Sequence, residues 1–151
     1  MQMEDILTPG RCLCAIEGHS RKRLFYRISE LIADDAPGVD ADAVFRALMA
    51  REQLGSTGLG HGIAIPHCRV EGCREVLGVL VTLREPIDFD AMDGHPVDLL
   101  FCLVVPDARD DDHVRTLAAV AALFGDADFC FTLRNTGDAD DLYTVTVTHQ
   151  C

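Results

Sequence analysis

Basic residues are scarce in this chain. Against 25 aspartates and glutamates stand 13 lysines and arginines, giving 151 residues a formal net charge of −12. That field repels a phosphate backbone and so excludes a nucleic-acid binder. A small anion can still be held where local N–H groups and one or two cations outweigh the global charge. Long apolar runs are missing too: no stretch reaches the length of a membrane span, and residues 1–20 lack the basic-then-apolar layout of a secretory leader. No internal repeat or low-complexity linker divides the chain. We therefore expect a single domain over residues 1–151, cytoplasmic and not embedded in a membrane. With 48% of residues hydrophobic and only 25% charged, the chain can fold around a core and is not disordered.

Seven cysteines (Cys12, Cys14, Cys68, Cys73, Cys102, Cys130 and Cys151) is an odd number. Without a leader, reduced thiols are expected. Cys102, in an apolar run, and Cys130, between Phe129 and Phe131, read as small core hydrophobes.

Helical and strand signals interleave. Residues 11–16 suggest a first strand. Ser20 is placed to cap a helix with Leu24, Phe25, Ile28, Leu31 and Ile32 on one face, ended by Ala36-Pro37-Gly38. Asp40 or Asp42 can cap a second helix, with Val44, Phe45, Leu48 and Met49 on one face and its end near Arg51-Glu52. Leu77–Leu83 and Val97–Val105 are almost continuously apolar, as strands buried on both faces are, with turns expected at Glu85-Pro86 and at Met92–Pro96. Asp110-Asp111-Asp112 opens a third helix, with Leu117, Val120, Ala121 and Phe124 as its stripe and Gly125 as its stop. The last segment is ambiguous: Asp138–Asp141 resembles a helix start, whereas Tyr143-Thr-Val-Thr-Val-Thr alternates like a strand. The pattern predicts an α/β sandwich with one central sheet.

The chemistry is concentrated in Gly55-Ser56-Thr57-Gly58-Leu59-Gly60-His61-Gly62-Ile63-Ala64-Ile65-Pro66-His67. Glycines at this density bring backbone N–H groups close to something outside the chain, and proline stiffens the delivery of a histidine whose neutral form is a nucleophile near neutral pH. Phosphoryl transfer onto His67 fits this arrangement, because such transfer needs mainly positioning and charge neutralisation. A histidine at a strand end is the plainer alternative. His113 lies in the first turn of the third helix, on the same stripe as Leu117; it could orient a phosphoryl group or be a satisfied core residue. Arg51 could offer its planar fork to an anion or bond its own helix's last carbonyls. The hydroxyls of Ser56 and Thr57, with Gly58, Gly60 and Gly62, could bind phosphoryl oxygens or merely satisfy the turn. No lysine follows the glycines, so this is not a Walker loop. His61, His67, Cys68 and Cys73 match no standard zinc spacing, and His67 and Cys68, being adjacent, point to opposite faces of extended backbone. The Arg21-Lys22-Arg23 cluster reads as a solvated face or a partner contact.

The string from Arg51-Glu52 through His67 closely resembles the IIA domain of the bacterial phosphoenolpyruvate-dependent phosphotransferase system, in the fructose/mannitol branch that includes the nitrogen-regulatory IIA proteins. Pro86–Asp90, Pro96–Phe101 and His113–Leu117 share the resemblance, which covers residues 5–143. It implies a central mixed sheet flanked by helices, phosphorylation of His67, and His113 and Arg51 as active-site partners. The implied phosphoryl donor is an HPr-type carrier, with no metal or organic cofactor. The downstream partner would be a regulatory target or, in a sugar-specific IIA, a IIB unit; a module that binds an anion without chemistry is the third possibility. The IIA part alone leans toward the regulatory kind. His61 and His95 read as incidental, and the Thr-Val-Thr-Val tail does not look like the helix that the family carries there.

Overall fold

The computed structural model describes residues 2–107 and 112–149. After two short 3-10 turns comes strand β1 (Cys12–Ile16), followed by helices α1 (Arg21–Asp35) and α2 (Ala41–Gln53). Three short strands follow: β2 (Gly58–Gly60), β3 (Ile63–Ala64) and β4 (His67–Val70). The long strands β5 (Leu77–Ile87) and β6 (Val97–Pro106) come next, and the chain ends in α3 (Asp112–Phe124), α4 (Ala127–Arg134) and α5 (Ala139–Thr148). These elements form a mixed α/β fold with helices on both faces of one sheet. Strand order is β1-β5-β6-β3-β2; β5 and β6 pair antiparallel, while β1 runs parallel to β5. β3 and β4 lie end to end along the same edge of β6, both parallel to it, at Leu99–Leu100 and at Leu103–Pro106.

Strand alternation divides the core. On β6, Leu100, Cys102 and Val104 meet Leu24, Phe25, Ile28, Val44 and Leu48 of the α1–α2 layer. Leu99, Phe101 and Leu103 meet Val120, Phe124, Phe129, Leu133 and Leu142 of the α3–α5 layer. Both faces being covered explains the continuous apolar runs. The helix starts are held by side chains: Ser20 accepts the Arg23 N–H at 3.2 Å, Asp40 the Ala43 N–H at 3.1 Å and Asp138 the Asp141 N–H at 2.8 Å. Among the described residues no single helix is long and apolar enough to cross a membrane.

Several local expectations are corrected. Glu85-Pro86 is not a turn but lies within β5, where the register with β6 shifts between Thr82 and Ile87; an irregular, exposed stretch tolerates the missing proline N–H. The tail is a helix. Thr144, Thr146 and Thr148 each donate a hydroxyl hydrogen bond to the carbonyl four residues earlier, at 3.0, 2.8 and 2.6 Å, so the β-branched residues satisfy themselves inside α5. Helix α4, eight residues long, carried too short a pattern to be read from sequence. Asp110 and Asp111 lie outside the described residues, and α3 begins at Asp112.

Candidate functional site

His67 opens β4, at the point where Ile65-Pro66 interrupts the edge strand; the Pro66 carbonyl accepts the Leu103 N–H at 2.9 Å, pinning the break to β6. Two bonds fix the imidazole. Nδ1 lies 2.9 Å from the Ile65 carbonyl oxygen, which can only accept, so Nδ1 carries the proton. Nε2 lies 3.4 Å from Arg51 Nε, which can only donate, so Nε2 keeps its lone pair. The two partners thus agree on one tautomer. Arg51, in the last turn of α2, also donates from Nη1 to the Gly55 carbonyl at 2.9 Å, beyond the helix end, so it bonds the following loop and not the last carbonyls of its own helix.

Arg51, His67 and His113 line one open cleft of about 650 Å³, walled by Ala47, Ala50, Leu103 and Leu117. His113, the second residue of α3, contributes two buried ring nitrogens, neither of which has a hydrogen-bond partner among the described residues. Unpaired buried polar atoms are costly and call for a ligand or a proton partner. Cys68 also lines the cleft, with its thiol pushed up to about 12 by burial and then by neighbouring Cys73, so it offers no thiolate. Among the described residues no group of three or more histidine, cysteine, aspartate or glutamate side chains could hold a metal ion.

The structure does not bring the glycine loop's predicted donors into this cleft. None of Ser56, Thr57, Gly58, Gly60 or Gly62 lines it. The Ser56 hydroxyl donates to the Phe89 carbonyl at 2.7 Å and accepts the Gly58 N–H at 3.1 Å. Thr57 is buried, its hydroxyl donating to Glu52 Oε1 and its N–H to Oε2 at 3.4 Å. Gly58 passes so close to Ala91 that a Cβ would sit 2.9 Å from the alanine methyl. Gly62 combines a φ of +79° with Arg134 Nη2, which a Cβ would approach to 2.8 Å. Arg134 in turn donates to the His61 carbonyl at 2.7 Å and pairs with Asp98 at 2.9 Å. His61 and His95 are exposed beside a different, shallow depression, and their N–H groups both reach Asp93, whose carboxyl is held below the usual range by these two bonds.

Sequence reasoning missed three residues. Glu52, 6% exposed, pairs with Arg21 at 3.2 Å, and Arg21 also donates to the Phe89 carbonyl at 3.2 Å. Arg21 is therefore no solvated residue: it joins α1 to the end of α2 and to the loop. The signal was present in the spacing Val44, Leu48, Glu52, which places Glu52 on the core face of α2. Arg69 lines the cleft two residues beyond His67, as strand alternation requires.

Comparison with known proteins gives a consistent result. The family described as "Phosphoenolpyruvate-dependent sugar phosphotransferase system, EIIA 2" matches residues 5–146. A nitrogen regulatory protein of Pseudomonas aeruginosa is 47% identical over 147 residues, 97% of this chain and 96% of that protein. The crystal structure of nitrogen regulatory protein IIA-Ntr from Neisseria meningitidis superposes with a TM-score of 0.87 at 36% identity, covering 93% and 96% of the two chains. The mannitol IIA of Escherichia coli shares the fold, with a TM-score of 0.75 at 20% identity over 93% and 98%.

Proposed function

This chain belongs to the phosphoenolpyruvate-dependent sugar phosphotransferase system EIIA 2 family, and from that premise we propose that His67 accepts a phosphoryl group from an HPr-type carrier. The observation that carries this reading is the tautomer: the Ile65 carbonyl holds the Nδ1 proton and leaves the Nε2 lone pair facing the cleft. The Nε2–phosphorus bond forms as the donor's nitrogen–phosphorus bond breaks, and the donor leaves with the electron pair of that bond. The positive charge that builds on the His67 ring is stabilised at Nδ1–H by the Ile65 carbonyl. Arg51 moves from Nε2 to a phosphoryl oxygen, supplying charge without a proton transfer. His113, on the opposite wall and without a hydrogen-bond partner among the described residues, supplies a hydrogen bond to another oxygen. The glycine loop acts behind this site as a rigid mount.

Exposed Leu54 and Val114 on the cleft's rim give the carrier an apolar landing, and the acidic surface suits a partner with a basic rim. Near full-length similarity to a nitrogen regulatory protein supports a cytoplasmic regulatory role, in which the phosphorylation state of His67 controls partner proteins. Incubation with phosphoenolpyruvate, enzyme I and an HPr-type carrier, followed by intact mass, tests the mechanism. Wild type should gain an acid-labile phosphoryl adduct and His67→Ala none. Absence of an adduct in both would leave an anion-binding module without chemistry.

A further inference from the structure

We propose that the exposed stripe of α1 formed by Lys22, Arg23, Tyr26 and Arg27 is a second interaction surface, which takes an extended acidic segment of a partner protein. These residues line an open groove of about 690 Å³ together with Phe45 of α2. Lys22 and Tyr26, like Arg23 and Arg27, are four apart and so share one face, while Leu24, Phe25 and Ile28 of the same helix point into the core. Among the described residues none of the three cations has a side-chain ion pair or hydrogen bond, and Glu17 on the groove's rim lies 3.9 Å from both His19 and Arg84.

In a chain of net charge −12 this is a local inversion of sign. Arg23 and Arg27 repel each other, and Lys22 and Arg23 oppose the positive end of the helix dipole. An external anion offsets both costs. Geometry selects an extended chain: four helical residues rise about 6 Å, and alternate side chains of a strand are about 6.7 Å apart, so Arg23 and Arg27 meet carboxylates two positions apart. Tyr26, 51% exposed and edge-on to Phe45 at 5.9 Å, offers an aromatic anchor for an apolar side chain two positions from one of these carboxylates, on the same face of the strand. Long-range repulsion by the acidic remainder of the chain disfavours a nucleic acid. The groove and the His67 cleft flank α2 on different sides, Phe45 facing one and Ala47, Ala50 and Arg51 the other, so a partner docked here leaves the cleft open to its phosphoryl donor.

The test is fluorescence anisotropy on the full chain with a short labelled peptide in which glutamates and one central leucine occupy alternate positions, with serine at every position between. We expect binding that weakens with salt and falls about tenfold in the variant K22E/R23E/R27E, less in Tyr26→Ala, and is absent for the glutamine version of the peptide. The charge-reversed variant keeps wild-type thermal unfolding and wild-type phosphoryl acceptance at His67. No binding, equal binding by the variant, or preference for a single-stranded oligonucleotide overturns the proposal. So does loss of phosphoryl acceptance in step with peptide binding, which would make the stripe part of the donor's docking site.

Discussion

The two walls of the cleft are built on opposite principles. On the α2–β4 wall the two functional side chains are engaged: His67 through both nitrogens, Arg51 through the His67 ring and the Gly55 carbonyl. On the α3 wall, His113 buries two nitrogens that have no hydrogen-bond partner among the described residues. The first wall is already organised for its task, and the second carries an unmet demand that a phosphoryl oxygen would meet. Preorganisation and unsatisfied polarity are both ways of favouring the loaded state, but they respond oppositely to mutation.

The largest effect is expected on the ordered wall. Arg51→Ala should slow phosphoryl acceptance by about a hundred- to a thousandfold, since a donor aimed at developing charge is removed; rapid-quench transfer from a phosphorylated HPr-type carrier measures it. Behind that wall, Glu52→Gln should cost about 2 kcal/mol in urea unfolding, because Arg21 and Thr57 lose their shared charged acceptor. An unchanged midpoint would mean that the loop is not held by this carboxylate. The α3 wall should behave inversely. His113→Leu is expected to leave stability equal or raise it by about 1 kcal/mol, by removing unpaired buried nitrogens, while slowing transfer. A fall in melting temperature would recast His113 as a packing residue.

The smallest effect concerns the thiols. Cys12 and Cys68 are pushed up to about 12 by burial, and Cys102 stands well above its ordinary 9.0 for the same reason. A folded chain that keeps protons which the unfolded chain releases is fully stabilised below pH 9.0 and loses that contribution as pH climbs toward 12. At pH 8 a thiol reagent should therefore leave these three unmodified until denaturant is added.

Much of the frame was legible in local pattern. The Ser20 and Asp40 caps, the α1 and α2 faces and the two buried strands follow from spacing alone. The convergence of Arg51, His67 and His113 on one cleft matches the partnership that the family resemblance implied; spacing alone left His113 open between a ligand and a core residue. What escaped depends on distant partners. Whether Ser56 and Thr57 face a ligand or the interior is decided by Phe89 and Glu52, and the fate of Arg21 by the same carboxylate. Neighbours in sequence thus diverge: Arg21 is tied into the loop's mount, whereas Lys22 and Arg23 stay exposed.

Helix α5 carries a cost that its hydrogen bonds conceal. Leu142–Thr148 has no charge, glycine or proline, and from Tyr143 it alternates aromatic or apolar side chains with threonine, which matches the sequence signature of aggregation-prone segments. Its helical state depends on the Asp138 cap and on Leu142 docked in the core. Partial unfolding at this end would therefore do more than loosen the protein. It would expose a segment whose composition favours pairing with copies of itself, so fraying at this end carries an aggregation hazard as well as a loss of stability.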